Sequence, residues 1–421
     1  MNNIIDSSEE HFYKYLEASA VPDWIRGLKV QYWERQQAIP EPSSKDPFWR
    51  FSNPSHFNLS ELGRDSSNAV AVDFSKAMAG RIVLSNDDVV DWQPISDELK
   101  QKGVVWAPLR QAFFDHQDIL DRYFLHNIET LGSDKWAYLN AAYCENGVLL
   151  YVPENVEISM PFLVQFLASK DICFPQILVV LEKDAKATLY DTYSVSNSQL
   201  CLSSQVVLHQ GANLHRKAIQ NANKEASLLR MESQSLHEGS FYQNFFMELG
   251  GGYSRSEVKT LLQGTNATTE TYGITVGDDS QFFDQRFEVL HEKPSTKSQL
   301  IFKSISNDRS KTVSHCRIKV PQGSQQVHAR QRNSNLILSN DAVVHNLPEL
   351  EIEANDVQCS HGASTSHLDD DQLFYLASRG IDPSVAQDLL TQGFCEDILQ
   401  QVCDQEEIDF FQKLLYNKFS T

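Results

Sequence analysis

Cys359 and His361 are two potential metal ligands that lie two positions apart in the segment QCSHG. In an extended strand, residues two apart project to the same face, about 6.6 Å apart along the strand axis. A thiolate and an imidazole in this arrangement suit zinc, iron or the edge of a metal cluster. Two ligands are too few for a closed site, so the others would come from elsewhere in the fold or from a second chain.

The alternation of apolar residues around this segment favours a different role for Cys359. Leu350 and Ile352 are even-numbered apolar positions, whereas Val357 and Cys359 are odd-numbered. A bulge or turn at residues 355–356 would account for the change of face. Cys359 would then point inward as a small buried hydrophobic residue. Spacing alone leaves both interpretations open.

The composition limits the classes of partner. The 421 residues include 36 Lys and Arg against 56 Asp and Glu, a formal net charge of -20. Such a surface repels nucleic acid and anionic membranes, and it favours a basic protein partner. The N-terminal residues lack a secretory pattern, and no apolar run is long enough to span a bilayer. The seven cysteines are scattered without a CxxC pair, which is typical of reduced thiols and predicts a cytoplasmic protein.

Hydrophobic patterning divides the chain into three regions, 1–135, 136–366 and 367–421. The first is predicted to be helical and mixed, with helical spacing over 9–38 that breaks at Pro22. The second contains short β-rich runs such as VLLYVP, ILVVLE, ATLYDTYSV and LIFKSIS, separated by polar turns. In part of it, glycines recur 12 or 13 residues apart, at Gly239, Gly252, Gly264 and Gly277. These features predict a mainly β protein with a right-handed parallel β-helix core, flanked by N- and C-terminal α-helical regions.

The third region has the pattern of four helices. A helix capped by Asp369 or Asp370 is predicted to end at Gly380, and a second to run from Asp382-Pro383 to Gly393. The predicted buried stripe of this second helix consists of Val385, Ala386, Leu389 and Leu390. Two further helices are predicted around residues 398–402 and 408–415. Residues 380–412 carry eight acidic and no basic side chains, which indicates either a solvated surface or a docking face for a basic partner.

Other residue constellations give weaker signals. The sequence has no P-loop, no GxGxxG after a strand, no HExxH and no GxSxG. GGGYS at 250–254 is predicted to be a tight turn. Asp278, Asp279 and Asp284 could imitate the acidic cluster of a polysaccharide lyase, although turn aspartates are usually structural. The isolated histidines and Cys395 are also predicted to be structural; the histidines are His291, His315, His328 and His345.

Several segments together resemble one protein family. Residues 334–382, SNLILSNDAVVHNLPELEIEANDVQCSHGASTSHLDDDQLFYLASRGID, closely resemble the C-terminal part of the SufB/SufD family of iron–sulfur cluster assembly proteins. The similarity continues through VAQDLLTQGFCEDIL. It extends upstream to EVLHEKPSTKSQLIFKSISNDRSKTV and, more weakly, to KDPFWRFSN. Gly362 stands where SufB members carry a glutamate after the histidine, so the chain resembles the SufD members more. It departs from the family pattern at His315-Cys316 and around His291.

The resemblance implies a function as well as a fold. It implies a non-enzymatic scaffold subunit that pairs through its β-helix with a SufB-like paralogue, or with a second copy of itself when isolated. A SufC-like ATPase would bind the C-terminal helices. No cofactor would be bound permanently, but iron or an iron–sulfur cluster would be held transiently at the shared interface by His361 and Cys359. The expected ATPase-docking residues are Leu373, Phe374, Tyr375, Arg379, Gly380, Leu389, Leu390, Gly393 and Phe394. A β-helix enzyme acting on polysaccharide and a purely structural β-solenoid adaptor are the alternatives.

Overall fold

The computed structural model describes residues 9–57, 71–72, 74, 76–86, 88–169 and 172–419. Short 3-10 helices occupy Pro47–Trp49 and Pro54–His56. The α-helices are α1 Glu9–Ala18, α2 Asp23–Ala38, α3 Asp97–Gln101, α4 Leu109–Asp115, α5 Gln117–Tyr123, α6 Asp134–Tyr143, α7 Asp370–Ser378, α8 Pro383–Val402 and α9 Gln405–Phe419. The predicted helical segment over 9–38 and its break at Pro22 are confirmed, because Pro22 is the residue that precedes α2.

The strands fill most of the chain between these helical regions. They are β1 Gly80–Ser85, β2 Asp88–Gln93, β3 Val105–Pro108, β4 Gly147–Val152, β5 Phe162–Ala168, β6 Ile172–Cys173, β7 Gln176–Leu181, β8 Lys186–Val195, β9 Gln199–Leu208, β10 Asn213–Ala222, β11 Ser227–Leu236, β12 Phe241–Glu248, β13 Tyr253–Leu262, β14 Thr268–Gly277, β15 Phe282–His291, β16 Lys297–Ser306, β17 Lys311–Val320, β18 Val327–Ile337, β19 Val343–Ile352 and β20 Val357–His367.

These strands form a parallel β-solenoid with two strands in each coil. From β7 onward, successive strands alternate between two sheets, so that each strand pairs with the strand two further along the chain. Sheet A has the order β2-β1-β5-β8-β10-β12-β14-β16-β18-β20, and sheet B has the order β19-β17-β15-β13-β11-β9-β7-β4-β3. Eight successive parallel strands in each sheet, β5 to β20 and β4 to β19, correspond to about eight coils. The predicted β-helix is confirmed, and its right hand stays a prediction.

The glycine period corresponds to half a coil. Gly239 lies between β11 and β12, and Gly252 lies between β12 and β13. Gly264 precedes β14, and Gly277 is its last residue, so each glycine marks the next turn between the two sheets. Gly251 has φ +92° inside the GGGYS turn, a conformation that L side chains rarely adopt. The predicted tight turn is confirmed.

The interior between the sheets has an apolar core along the solenoid, and its middle coils also contain buried charged residues. Leu150, Val164, Val179 and Leu189 are among the fully buried aliphatic residues of the first coils. In the next coils, Arg216 is fully buried and binds two carboxylates. Its Nε lies 2.8 Å from Asp191 Oδ1, and its Nη1 lies 2.9 Å from Glu232 Oε2. Buried charges must be paired in this way, because an unpaired charge would carry its full desolvation cost.

Helices pack on the outer faces of both sheets. The N-terminal helices pack on sheet B, where Trp33, Trp136 and Leu120 join Leu178 and Val180 in one cluster. The C-terminal helices pack on sheet A in a second cluster of buried residues, comprising Ile219, Phe245, Met247, Leu249, Tyr272, Ile274, Val276, Ile305, Leu336, Cys395, Ile398, Leu399, Val402, Phe411 and Leu415. The domain division proposed from sequence stays a prediction, although β1, β2 and β3 precede residue 136 and belong to the same two sheets.

The C-terminal region differs from its prediction in two ways. The break predicted at Gly393 is wrong, because α8 runs without interruption from Pro383 to Val402. A glycine costs a helix only about 1 kcal/mol, and here packing on sheet A outweighs that cost. The predicted buried stripe is also wrong in part, since Val385 and Leu389 are each 48% exposed while Ala386 is fully buried. The residues of α8 that pack on the sheet instead lie in its second half.

Candidate functional site

The solenoid ends in a coil, formed by β19 and β20, on which no further coil stacks within the described ranges. β20 pairs only with β18, and β19 pairs only with β17, so each is the last strand of its sheet within the described ranges. Most residues of β20 are exposed, and those of β19 are half-buried or exposed. By contrast, β13 to β15 in the middle of the solenoid are almost completely buried. The interior of the protein is therefore accessible from this side, which we call the open end.

Cys359 lies on the inward face of β20. Its register partner on β18 is Ala329, a core residue with 3% exposure, and Cys359 packs against the same core cluster while remaining half-buried. Burial raises the pKa of the Cys359 thiol, and a hydrogen bond with the Ala329 backbone opposes that increase. The inward direction expected from residue parity is confirmed, and the predicted turn lies between β19 and β20.

His361 shares the inward face of β20 with Cys359. It is the register partner of Gln331, so the imidazole stands over a buried amide on the next strand. His361 is exposed although it points to the interior side, because no further coil covers it. The two interpretations of the Cys359–His361 pair are therefore compatible: both residues face inward, and in the last coil the inward face is open.

A polar layer lies one coil inside this pair. The Asn333 amide donates to Ser314 Oγ at 3.2 Å and to Asn346 Oδ1 at 2.9 Å, and it lies 3.7 Å from Cys316 Sγ. The side-chain nitrogen and oxygen of Gln331 have no hydrogen-bond partner, although the residue is only 1% exposed. Buried amides in proteins are nearly always satisfied, so the Gln331 amide has unused capacity directly below His361. Sequence reasoning did not single out Gln331 or Asn333.

Cys359 and His361 are two side chains on the inward face of the open end whose chemical types are common metal ligands. Among the described residues, no group of three or more His, Cys, Asp or Glu is close enough together to hold a metal ion. Thiolate and imidazole are ligands of iron, zinc and the irons of a cluster. The arrangement can therefore supply two ligands from one side of a site.

The two edge strands at the open end differ in their capacity to pair with another strand. β19 contains Pro348, which lacks a backbone N–H, and it carries Glu349 and Glu351, which bind His315 and Lys319 of β17. Proline and charged residues protect an edge strand from pairing with another chain. β20 contains neither a proline nor an Asp, Glu, Lys or Arg over its 11 residues. β20 is thus the strand that remains open to a partner.

The residues predicted to dock an ATPase lie on α7, on α8 and in the turn that joins them. Phe374 is 76% exposed and Tyr375 is 56% exposed, which is unusual for aromatic side chains of a packed helix. Between α8 and the ends of β18 and β20 lies a groove with an empty volume of about 710 Å³. Its lining includes Leu389, Leu390, Gly393 and Phe394, which are among the predicted docking residues. Leu373 is half-buried, and Arg379 and Gly380 are exposed.

The acidic side chains of the C-terminal helices are partly used inside the protein. Asp397 binds Lys303, and Glu407 binds Lys217, at 2.5 Å in each case. Asp382 caps α8 by accepting a hydrogen bond from the Ser384 backbone N–H. The density of carboxylates in this region therefore reflects packing on sheet A as well as an exposed acidic surface.

The remaining histidines behave largely as the sequence predicted. His291 is completely buried between Thr296 and Ser298, with ring nitrogen to oxygen distances of 2.7 and 2.8 Å. Burial lowers the pKa of His291 to about 3. His345 stacks on Phe51, while His328 is exposed on the outer face of β18.

The buried thiol and the clustered aspartates are structural as well. Burial raises the pKa of the Cys395 thiol to about 12, so Cys395 is not a nucleophile. Asp284 is completely buried between Arg255 and Arg286. Asp284 therefore cannot contribute to an acidic polysaccharide groove, and Asp278 and Asp279 form ion pairs with Lys418 and Lys224.

Sequence reasoning also missed a basic surface beside the site. The segment HARQR at 328–332 places three basic side chains on the outer face of β18. They are His328, Arg330 and Arg332, and all three are exposed. The alternation of basic and non-basic residues over five positions was a visible signal, because this spacing puts every basic side chain on one face of a strand. Sequence reasoning considered His328 alone, without Arg330 and Arg332, and so it did not predict this basic surface.

Comparisons with known proteins agree with the fold and the site. The protein is a parallel β-solenoid whose last coil carries Cys359 and His361 on its inward face. The family model described as "SUF system FeS cluster assembly, SufBD core domain" matches residues 165–394, and "SufBD protein N-terminal region" matches residues 56–164. The chain belongs to the SufBD family of iron–sulfur cluster assembly proteins.

Individual relatives show which branch of the family the chain resembles. It is 24% identical over 413 residues to "Iron-sulfur cluster assembly protein SufD" of Bacillus subtilis, covering 94% of both chains. It is 28% identical over 289 residues to a protein named "Iron-sulfur cluster assembly SufBD family protein" in Synechocystis, covering 65% of this chain and 64% of the relative. The chain is therefore SufD-like. None of the helices in the described ranges combines the length and apolar composition needed to cross a bilayer.

Proposed function

We propose that this chain is a non-enzymatic scaffold subunit that pairs through β20 with a SufB-type paralogue. Iron or a nascent iron–sulfur cluster would be the cargo, held at the shared interface with Cys359 and His361 as the ligands from this chain. The observation that carries the proposal is the position of these two residues on the inward face of the last coil. A site built there is half complete, and a second chain that continues the solenoid would complete it.

The unpaired backbone N–H and C=O groups of β20, an edge strand, support pairing with a partner strand. A partner strand could satisfy the unpaired backbone groups along its 11 residues, as in other cases of strand addition. The same addition would cover the inward face of the last coil and remove water from around His361. Covering the site matters because metal–ligand electrostatics strengthen as water is excluded.

The protonation state of Cys359 gives the proposed site a defined chemistry. Only a thiolate ligates iron, and burial holds the pKa of Cys359 above its ordinary value. The side chain is therefore a neutral thiol at physiological pH until a cation arrives, and metal binding releases its proton. An unloaded site of this kind adds no negative charge to the partly buried interface.

The surface of α7 and α8 supports a second contact, with a SufC-type ATPase. Phe374, Tyr375 and Leu389 are exposed apolar side chains beside the groove lined by Leu390 and Phe394. Exposed apolar residues around a groove, with acidic side chains nearby, suit a partner with complementary apolar and basic groups. This surface lies beyond the strand ends, so both contacts can form at the same time.

Co-expression of the full chain with its SufB-type paralogue and its SufC-type ATPase, followed by purification through a tag on this chain, tests the proposal. We expect a complex containing all three proteins that accumulates iron and sulfide, with less of both when His361 is replaced by alanine. A complex with an unchanged metal content in that variant would favour the structural adaptor. Recovery of this chain without either protein would contradict the scaffold function.

A further inference from the structure

The outer face of sheet A at the open end carries a row of basic side chains that lack ion-pair partners among the described residues. The row consists of His328, Arg330 and Arg332 on β18, with Lys297 beside it on β16. All four are exposed, and no side-chain hydrogen bond or ion pair joins any of them to another described residue. They stand out on a chain with a formal net charge of -20.

Other basic residues on the outer face of sheet A form ion pairs with the helices that pack there. Lys303 of β16 and Lys217 of β10 also point outward from sheet A, and each binds a carboxylate of a helix that packs on the sheet. Those carboxylates belong to Asp397 and Glu407. His328, Arg330 and Arg332 in the first half of β18 are exposed, and no carboxylate of a described helix forms an ion pair with them.

The strand next to the row, β20, has small residues on this face, so a long side chain can extend across it. Ser360 and Gly362 of β20 are the register partners of Arg330 and Arg332. A Cβ atom at Gly362 would meet nothing within 4 Å. Three members of the row, Lys297, His328 and Arg330, border a trough with an empty volume of about 870 Å³ that reaches Gln358 and Ser360.

These observations lead to an inference about partner choice, which rests on the proposed pairing at β20. We propose that the basic row selects, at the edge of β20, a partner strand whose outward side chains are acidic. Strands lie about 4.8 Å apart, so an added strand would run about 9.6 Å from β18, with only Ser360 and Gly362 between. A long arginine side chain and a glutamate or aspartate can meet across that distance.

A second copy of this chain would gain nothing from the row. Its own basic row would lie on the far side of its β20, about 14 Å from the first row at the same strand spacing. Both rows carry positive charge and β20 has no acidic side chain, so pairing of two copies brings no attraction between opposite charges, and salt weakens the repulsion between the rows over this distance. The row therefore attracts a partner strand with acidic outward side chains and does not attract a second copy of this chain. Such differences in electrostatic attraction are a common basis of specificity.

The test compares charge variants of the full chain in binding to its SufB-type paralogue. In Arg330→Gln/Arg332→Gln, we expect the association rate constant to fall about tenfold at low ionic strength and less than twofold in high salt. Arg330→Lys/Arg332→Lys keeps the charge and should retain most of the rate. Self-association of the Gln variant should change less than twofold.

The matched control is Arg35→Gln/Lys183→Gln, which removes the same charge from exposed positions on α2 and on the turn before β8. If the Arg330/Arg332 variant binds at the same rate and with the same salt dependence as this control, the inference is wrong and the proposed pairing stands. If the wild-type chain does not bind the paralogue at all, the proposed function fails and the inference fails with it.

Discussion

His361 and Gln331 are register partners on adjacent parallel strands, yet the imidazole is exposed and the amide beneath it is 1% exposed without a hydrogen-bond partner. The boundary between interior and solvent therefore passes between these two residues. A strand added to β20 would move that boundary outward by one coil. The site would then lie in the interior of an assembled complex, although it is on the surface of the single chain.

The first prediction concerns His361. Replacing it with alanine should abolish cluster maturation in a complementation assay, because an imidazole ligand is lost, while leaving the fold intact. An exposed side chain contributes little to packing, so the free energy of unfolding should change by less than about 0.5 kcal/mol. His126→Ala, at an exposed position among the N-terminal helices, is the control and should complement normally. Normal growth with the His361 variant would remove this residue from the site.

The second prediction concerns the reactivity of Cys359 with iodoacetamide. The thiolate is the reactive form, and burial raises the thiol pKa above its ordinary value, so alkylation should be slow at neutral pH. The rate should keep rising as the pH passes 9, and mass spectrometry of the modified peptide would measure it. Cys395, which is fully buried with a pKa raised to about 12, should stay unmodified while the protein is folded. A rate for Cys359 that levels off below pH 8 would show that its pKa is lowered instead.

The third prediction concerns the ATPase-docking surface. Deleting residues 368–421 would be a poor test, because the C-terminal helices cover apolar residues of sheet A such as Phe245, Ile274 and Ile305. Phe374→Glu and Leu389→Glu change exposed side chains instead. Each should lower the affinity for the SufC-type ATPase at least tenfold, because a charge replaces an apolar contact, while pairing through β20 continues.

A matched control is available on the neighbouring helix. Tyr416 on α9 is 54% exposed and does not line the groove, so Tyr416→Glu should bind the ATPase normally. Co-purification of each variant with the ATPase and the paralogue separates the two contacts. Stoichiometric recovery of the ATPase with the Phe374 and Leu389 variants would place its docking surface elsewhere.

Sequence patterns predicted the solenoid because each coil repeats the same pattern of short strands followed by turns. The turns at Gly239, Gly252 and Gly264 recur at half-coil spacing, and the parity change around residues 355–356 located the turn before β20 correctly. Both signals are local, so they need no knowledge of which strands pair. The continuous helix through Gly393 was not predictable in this way, because packing on a sheet more than 75 residues earlier in the chain, at β14 and β16, stabilises α8.

The candidate site was predictable only in part, for a related reason. Cys359 and His361 could be selected by residue type, and their common inward face followed from their spacing. Gln331 could not be selected, because nothing local connects it with a residue 30 positions later. Only the pairing of β18 with β20 places the two side chains together.

The final prediction concerns stability and pH through His291. This histidine is completely buried, and its pKa is lowered to about 3, because burial disfavours the charged imidazolium. In the unfolded chain the same group takes up a proton near its ordinary pKa of about 6.5. Below pH 6.5 the unfolded state therefore binds one more proton than the folded state, so stability is present above that pH and falls as the pH decreases toward 3. The expected slope is about 1.4 kcal/mol per pH unit, or about 2 kcal/mol between pH 6.5 and 5.

A His291→Gln variant isolates this contribution. Glutamine can still bind Thr296 and Ser298 but does not titrate, so the variant should lose about 2 kcal/mol less stability than the wild type between pH 7 and pH 5. Urea unfolding at both pH values measures the two losses, and comparing them cancels any constant destabilisation caused by the substitution. Equal losses in the two proteins would show that His291 takes up its proton in the folded state, and hence that burial does not hold the ring neutral.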